Sequence, residues 1–135
     1  MRIVLLLLAL LVSAAPLAIA ADDATPAQTA IRQQEQAFAR DDAAAAYAQA
    51  APEVHAILPS PDIFMAMVRQ GYAPVYRHQS FEFGESSTES GVIAQRVHIV
   101  DAKGEAWEAL YTLEAQPDGS LKITGCSLLK AGQSV

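Results

Sequence analysis

Cysteine is almost absent. Cys126 stands alone, so no intrachain disulfide can brace the fold and packing must stabilise it. Cations are scarce as well, with 9 Lys and Arg against 15 Asp and Glu and a net charge of −6. That balance argues against nucleic acid or anionic lipid as the main partner, since both are held by clustered positive charge. The three histidines, His55, His78 and His98, are scattered and have no second ligand type beside them. No metal motif arises from them, and neither a metal nor another cofactor is expected. They read as surface or capping residues. Internal repeats and low-complexity linkers are missing too.

One long apolar run is present, at the start. Arg2 precedes Ile3 to Val12, followed by Ser13-Ala14-Ala15-Pro16 and Ala18-Ile19-Ala20. A basic start, a short apolar run and an Ala-x-Ala exit mark a secretory signal peptide over residues 1–20. The run is barely long enough to span a bilayer, and Pro16 and the alanines weaken it as an anchor. The expected location is periplasmic or secreted, with no stable membrane anchor after cleavage. Residues 21–135, roughly 115 in number, suit a single compact domain.

Residues 25–77 carry helical punctuation. Thr25 with Pro26 and Gln28 forms a capping box, and Ala27, Ala30, Ile31, Gln34, Ala37 and Phe38 share one side of the helix. Asp41-Asp42 interrupts it. The pair is read as a cap for a second helix, Ala43 to Ala51, in preference to two catalytic carboxylates. Pro52 starts a one-turn segment carrying Val54, Ile57 and Leu58. Ser60, Pro61 and Asp62 then open a helix whose stripe of Ile63, Phe64, Met67 and Val68 is expected to face the core. Gly71 is placed for a left-handed Schellman end with Tyr72 packed back on Met67, and Pro74 is expected to prevent the helix resuming.

Beyond residue 78 the period becomes two. Gln79 to Gly84 is a strand with Phe81 and Phe83 on one face, and Glu85 to Gly91 is a polar loop. Two hairpins follow, with Gly104 and Gly119 at the left-handed position of three-residue G1-bulge turns. These turns set Gln95 opposite Tyr111, Tyr111 opposite Gly125, Ala109 opposite Ser127 and Trp107 opposite Leu129. His98 pairs with Glu108, and Glu114 with Lys122, on the other face. The fold class is α+β, with N-terminal helices packed in the concave face of a curved, mostly antiparallel sheet.

The blocks Ala37-Phe38 with Asp41-Asp42, Phe64 to Arg69 with Gly71 to Arg77, Trp107 to Glu114, and Gln116 to Ser120 closing on Gly125-Cys126 resemble domain-of-unknown-function family 4864. Leu121-Lys122 departs from the aromatic–basic pair common there. The resemblance implies a bacterial exported protein with the cone-shaped nuclear-transport-factor-two-like fold. That superfamily holds isomerases, dehydratases, hydrolases and non-enzymatic binding domains. The family has no established activity, so no catalytic residue is carried over and fold alone does not fix function.

A ligand would meet the concave face, where the register gathers Gln95, Tyr111, Ser127 and Trp107 around Gly125 and Ala109. Tyr72 and Tyr76 are candidate contacts from the helix–strand junction, although core and rim packing is the better account of them. No Asp, Glu or His falls on this face, which disfavours acid–base catalysis. The leading expectation is a non-enzymatic domain that binds a small apolar ligand or an envelope protein. An isomerase- or dehydratase-type enzyme is the alternative. A third reading is assembly, such as a homodimer, through an outer sheet face bearing Val92, Ala94, Leu110, Cys126 and Leu128. The leader carries its own test: protein recovered from the periplasm should have an intact mass that begins at Ala21 or Asp22. An uncleaved form in the membrane would support an anchor.

Overall fold

The computed structural model describes residues 25–132. The leader, its cleavage point and the lead-in Ala21 to Ala24 lie outside the described residues, and none of the helices among those described is long and apolar enough to cross a membrane. The elements run α1 (Pro26–Ala39), α2 (Ala43–Ala48), α3 (Pro52–Ile57), α4 (Pro61–Gly71), α5 (Ala73–Tyr76), β1 (His78–Glu89), β2 (Val92–Asp101), β3 (Ala106–Ala115) and β4 (Leu121–Lys130). Strands β1 to β4 form one antiparallel meander in sequence order. The sheet is curved and unclosed, and the helices lie in its concave face.

Helix α1 buries Ala27, Ala30, Ile31, Gln34, Ala37 and Phe38, the face its 3.6-residue spacing requires. Thr25 accepts from the Gln28 amide at 3.2 Å, while the Gln28 side chain leaves the capping box for Gln95. The Schellman end lies in α1. The Asp41 amide donates to Phe38 O at 3.1 Å and the Asp42 amide to Ala37 O at 2.9 Å. Asp41 takes the left-handed conformation, φ 55°. Asp42 then caps α2 by accepting from the Ala45 amide. The aspartate pair therefore stops one helix and starts the next.

Several expectations are corrected. Helix α2 ends at Ala48, because Gln49 to Ala51 turns out to pair with β4: the Ile123 amide donates to Gln49 O and the Ala51 amide to Ile123 O. This segment covers part of an edge that would otherwise stand open. In α4 the buried residues are Phe64, Met65 and Val68, whereas Ile63 is 48% exposed. The core lies on the other side of Phe64 from the stripe expected, so Met65 replaces Ile63. Gly71 is the last residue of α4 and lacks a positive φ. The turn falls at Tyr72, whose amide still bonds Val68 O at 2.8 Å, and whose hydroxyl reaches Cys126 O on β4. Pro74 permits α5, since a first-turn proline has no helical hydrogen bond to lose.

Strand β1 runs through the supposed polar loop to Glu89. Its Ser and Glu residues face solvent, and only Ser90-Gly91, both with positive φ, form the turn. A bulge between Phe83 and Ser86 sets Gly84 and Glu85 against Arg96 alone. The β2–β3 register is the one expected, with Gln95 opposite Tyr111 and His98 opposite Glu108. The β3–β4 register holds from Ala115↔Leu121 to Leu113↔Ile123 and then slips: Thr124 and Gly125 both face Thr112. Beyond that point Cys126 opposes Tyr111 and Leu128 opposes Ala109, so Cys126 and Leu128 turn inward while Ser127 and Leu129 turn outward.

Gly71 provides a test of the helix end. No atom lies within 4 Å of a Cβ placed there. Gly71→Ala should raise stability by about 0.4–1 kcal/mol, because alanine restricts the unfolded chain at a helical position that it tolerates. Urea unfolding of the two proteins measures this, and a destabilised alanine variant would place Gly71 in a left-handed conformation after all.

Candidate functional site

Between the helices and the inner end of β4 lies a cavity of about 210 Å³. Phe38 from α1 and Phe64 and Val68 from α4 supply its apolar wall on the helix side, and Tyr111, Ile123 and Cys126 face them from the sheet. Ala50 and Gly125 add no bulk, which keeps the space open. Val54, Met67 and Tyr72 are lining residues that remain half-exposed, so the mouth lies between α3, α4 and β4. Phe38 and Phe64 stack with centroids 6.1 Å apart and present a flat aromatic surface.

The polar groups of the wall are few. The Tyr111 hydroxyl and the Cys126 thiol face each other across β3 and β4. Burial pushes the Tyr111 hydroxyl well above its ordinary range and the Cys126 thiol up to about 12, so both stay protonated at neutral pH. The Tyr72 hydroxyl donates to Cys126 O at 2.9 Å. Gln34, 4% exposed, donates from Nε2 to Ala46 O at 3.1 Å. No carboxylate, imidazole, guanidinium or ammonium lines the cavity among the described residues.

Of the six residues singled out from sequence, Tyr111 and Tyr72 reach the cavity. Gln95 does not: its buried amide plugs the β1 bulge, donating to Gly84 O at 3.0 Å and Arg96 O at 2.8 Å while accepting from Gln28. Ser127 points outward because of the β4 bulge, which inverts the alternation of side chains beyond it. Trp107 donates from Nε1 to Asp101 at 2.9 Å and so braces the β2–β3 turn. Tyr76 belongs to a surface cluster, with its hydroxyl on Asp41, the Arg77 guanidinium 3.9 Å from its ring centroid, and an Arg77–Asp41 ion pair at 3.0 Å. That cluster holds the left-handed Asp41 in place. The sequence reading did not single out Gln34 as a polar group for the wall. It sits in the apolar stripe of α1, and a buried glutamine amid alanines was the available signal.

Two polar constellations lie away from the cavity. On the convex face Arg96 pairs with Glu108 at 3.1 Å, and His98 lies over Gly84 so closely that a Cβ there would approach its Nε2 to 2.6 Å. The second joins α1 to the start of β1. Glu35 accepts from Arg32 at 2.5 Å and from His78 Nε2 at 2.6 Å, while His78 Nδ1 bonds Pro74 O at 3.0 Å. Both ring nitrogens face acceptors, which favours the imidazolium. Neither nitrogen remains for general-base work, and the group acts as a clamp. His55 is likewise engaged, stacked on Tyr47 and bonded to Tyr47 O at 2.8 Å.

Fold and cavity together define a curved antiparallel sheet closed by short helices over a small apolar hollow. The chain belongs to the family described as Domain of unknown function (DUF4864), whose pattern matches residues 20–134. Among solved structures it is similar to an NTF2-like protein of unknown function from Burkholderia pseudomallei, at 12% identity and a TM-score of 0.41 over 78% of this chain and 91% of that one. No curated protein matches the chain significantly.

The clamp makes stability depend on pH in a defined way. The Glu35 carboxyl meets opposing effects: burial raises it, but hydrogen bonds from His78 and Arg32 leave it below its ordinary 4.5. Its contribution is therefore present above that value and lost as pH falls through the lowered one. The hydrogen bond to Glu35 raises His78 above 6.5 despite burial, so its contribution is complete below 6.5 and lost as pH rises through the raised value. The clamp should stabilise most between about 4.5 and 6.5. Urea unfolding from pH 5 to pH 9 should show a decline in the parent that His78→Gln lacks, and parallel profiles would remove the clamp from the account.

Proposed function

We propose that this domain is an exported binding protein that holds a small, neutral, largely apolar molecule in the cavity and performs no chemistry on it. The cavity carries the reading, for it is an apolar hollow in a protein interior that is otherwise close-packed. The wall of such a hollow lacks packing partners, and a ligand of matching shape supplies them. At about 210 Å³ the space exceeds the roughly 150 Å³ that suffices for benzene in an engineered apolar cavity. A ring compound or a short branched chain fits, whereas a sterol or a long acyl chain does not.

The wall supports binding over catalysis. An isomerase or dehydratase needs a group that takes and returns a proton near neutral pH. The titratable groups of the wall are Tyr72, Tyr111 and Cys126, all with ionisations raised by burial. Export rests on the Arg2 to Ala20 pattern.

Toluene is a suitable first probe. It should cause saturable amide shifts at Val68, Tyr111 and Cys126, with a Kd on the order of 0.1 mM, as expected for a seven-atom ligand. Val68→Phe should fill the hollow and abolish those shifts while leaving the fold intact. Shifts absent up to the solubility limit of toluene, or unaffected by Val68→Phe, would remove the cavity as a binding site.

A further inference from the structure

We infer that the cavity selects a ring-sized ligand bearing one neutral hydrogen-bond donor, of the phenol or indole type, and that Gln34 is the residue that recognises the donor. The inference rests on the binding reading above and gives it a ligand class. Its starting point is the orientation of one amide. Gln34 places Nε2 3.1 Å from Ala46 O. A backbone carbonyl can only accept, so this prong of the amide must be the nitrogen, and the oxygen must take the other prong.

Among the described residues, no hydrogen bond reaches Gln34 Oε1. Every side-chain polar atom among the described residues that is wholly sealed from solvent has a partner, so an unpartnered Oε1 must keep some accessible surface. Gln34 is only 4% exposed and lines the cavity, which puts that surface on the cavity wall. Neither neighbouring hydroxyl is hydrogen-bonded to Oε1 among the described residues, and the Tyr72 hydroxyl donates to Cys126 O instead. A buried acceptor left unpaired is unfavourable, and an occupant that donates to it removes that penalty.

Charge narrows the class. With no ionised group on the wall among the described residues, an ammonium or carboxylate would be desolvated without a counter-ion. The donor must therefore be a hydroxyl or N–H on a neutral molecule. Shape narrows it further: the stacked Phe38 and Phe64 rings offer a flat surface, and about 210 Å³ admits one or two fused rings.

Phenol and toluene differ by a hydroxyl in place of a methyl, and they form the test. Both should bind the unmutated protein. Gln34→Met keeps the length of the side chain and removes the acceptor. It should lower the preference for phenol over toluene roughly two- to tenfold, the range of one neutral hydrogen bond, mainly through weaker phenol binding. In the unmutated protein the side-chain carbonyl carbon resonance of Gln34 should move with phenol and stay with toluene, which tests the contact even if Gln34→Met folds poorly. If both probes bind but neither the preference nor that resonance responds, Gln34 does not recognise the donor, although the cavity remains a binding site. If neither probe binds the unmutated protein, the cavity reading fails and this inference fails with it.

Discussion

Along a β-strand successive side chains go to opposite faces, so one inserted residue reverses every orientation beyond it. In β4 the insertion falls at Thr124-Gly125, two residues set against Thr112. The Thr112 and Thr124 hydroxyls bond at 2.9 Å on the convex side, and a Cβ on Gly125 would crowd Thr112 Oγ1 at 3.1 Å. The doubled position thus tolerates a glycine best. Its effect is to carry Cys126 and Leu128 into the interior and Ser127 out of it. Without the slip Gly125 would oppose Tyr111 and Ser127 would oppose Ala109, which would bring a hydroxyl into the interior in place of Leu128. A second bulge in β1 works through Gln95, which supplies the amide protons that the irregular backbone there would otherwise lack.

The parts of the fold legible in the sequence are those fixed by local chemistry. The Thr25 and Asp42 caps, the buried face of α1 and the turns at Gly104 and Gly119 each depend on residues within a few positions of one another. So does the β2–β3 register, which a three-residue turn dictates. The β4 bulge was not legible because part of its setting is remote in sequence: Gln49 to Ala51 pairs with Ile123 immediately before the slip. The end of α4 was misread for a related reason. Gly71 looks like a terminator by composition, but the left-handed terminator is Asp41, a residue that needs Arg77 and Tyr76 from 36 and 35 positions away. Of the site, Tyr111 and Tyr72 were legible, whereas Gln34 and Cys126 depended on tertiary placement.

The helices are tied to the sheet at two points of different character. Asp41, Arg69, Arg77 and Tyr76 form a cluster at the surface, where water and salt weaken each ion pair and the geometry matters more than the charge. Glu35 and His78 meet in a half-buried position, where the pair is less screened. Both connect α1 to the α5–β1 corner, and none of these residues lines the cavity. The cavity wall is thereby held by groups that do not enter it, and a ligand need not disturb the charges that position the helix.

The inward turn of Cys126 also has a kinetic consequence. Thiol–disulfide exchange and peroxide oxidation proceed through the thiolate. With burial pushing its ionisation up to about 12, Cys126 is held as the thiol at neutral pH. A lone cysteine on the outer sheet face would be open to mixed disulfides under oxidising conditions. Held against Tyr111 behind the helices, Cys126 places a soft, polarisable sulfur in the interior without a disulfide partner.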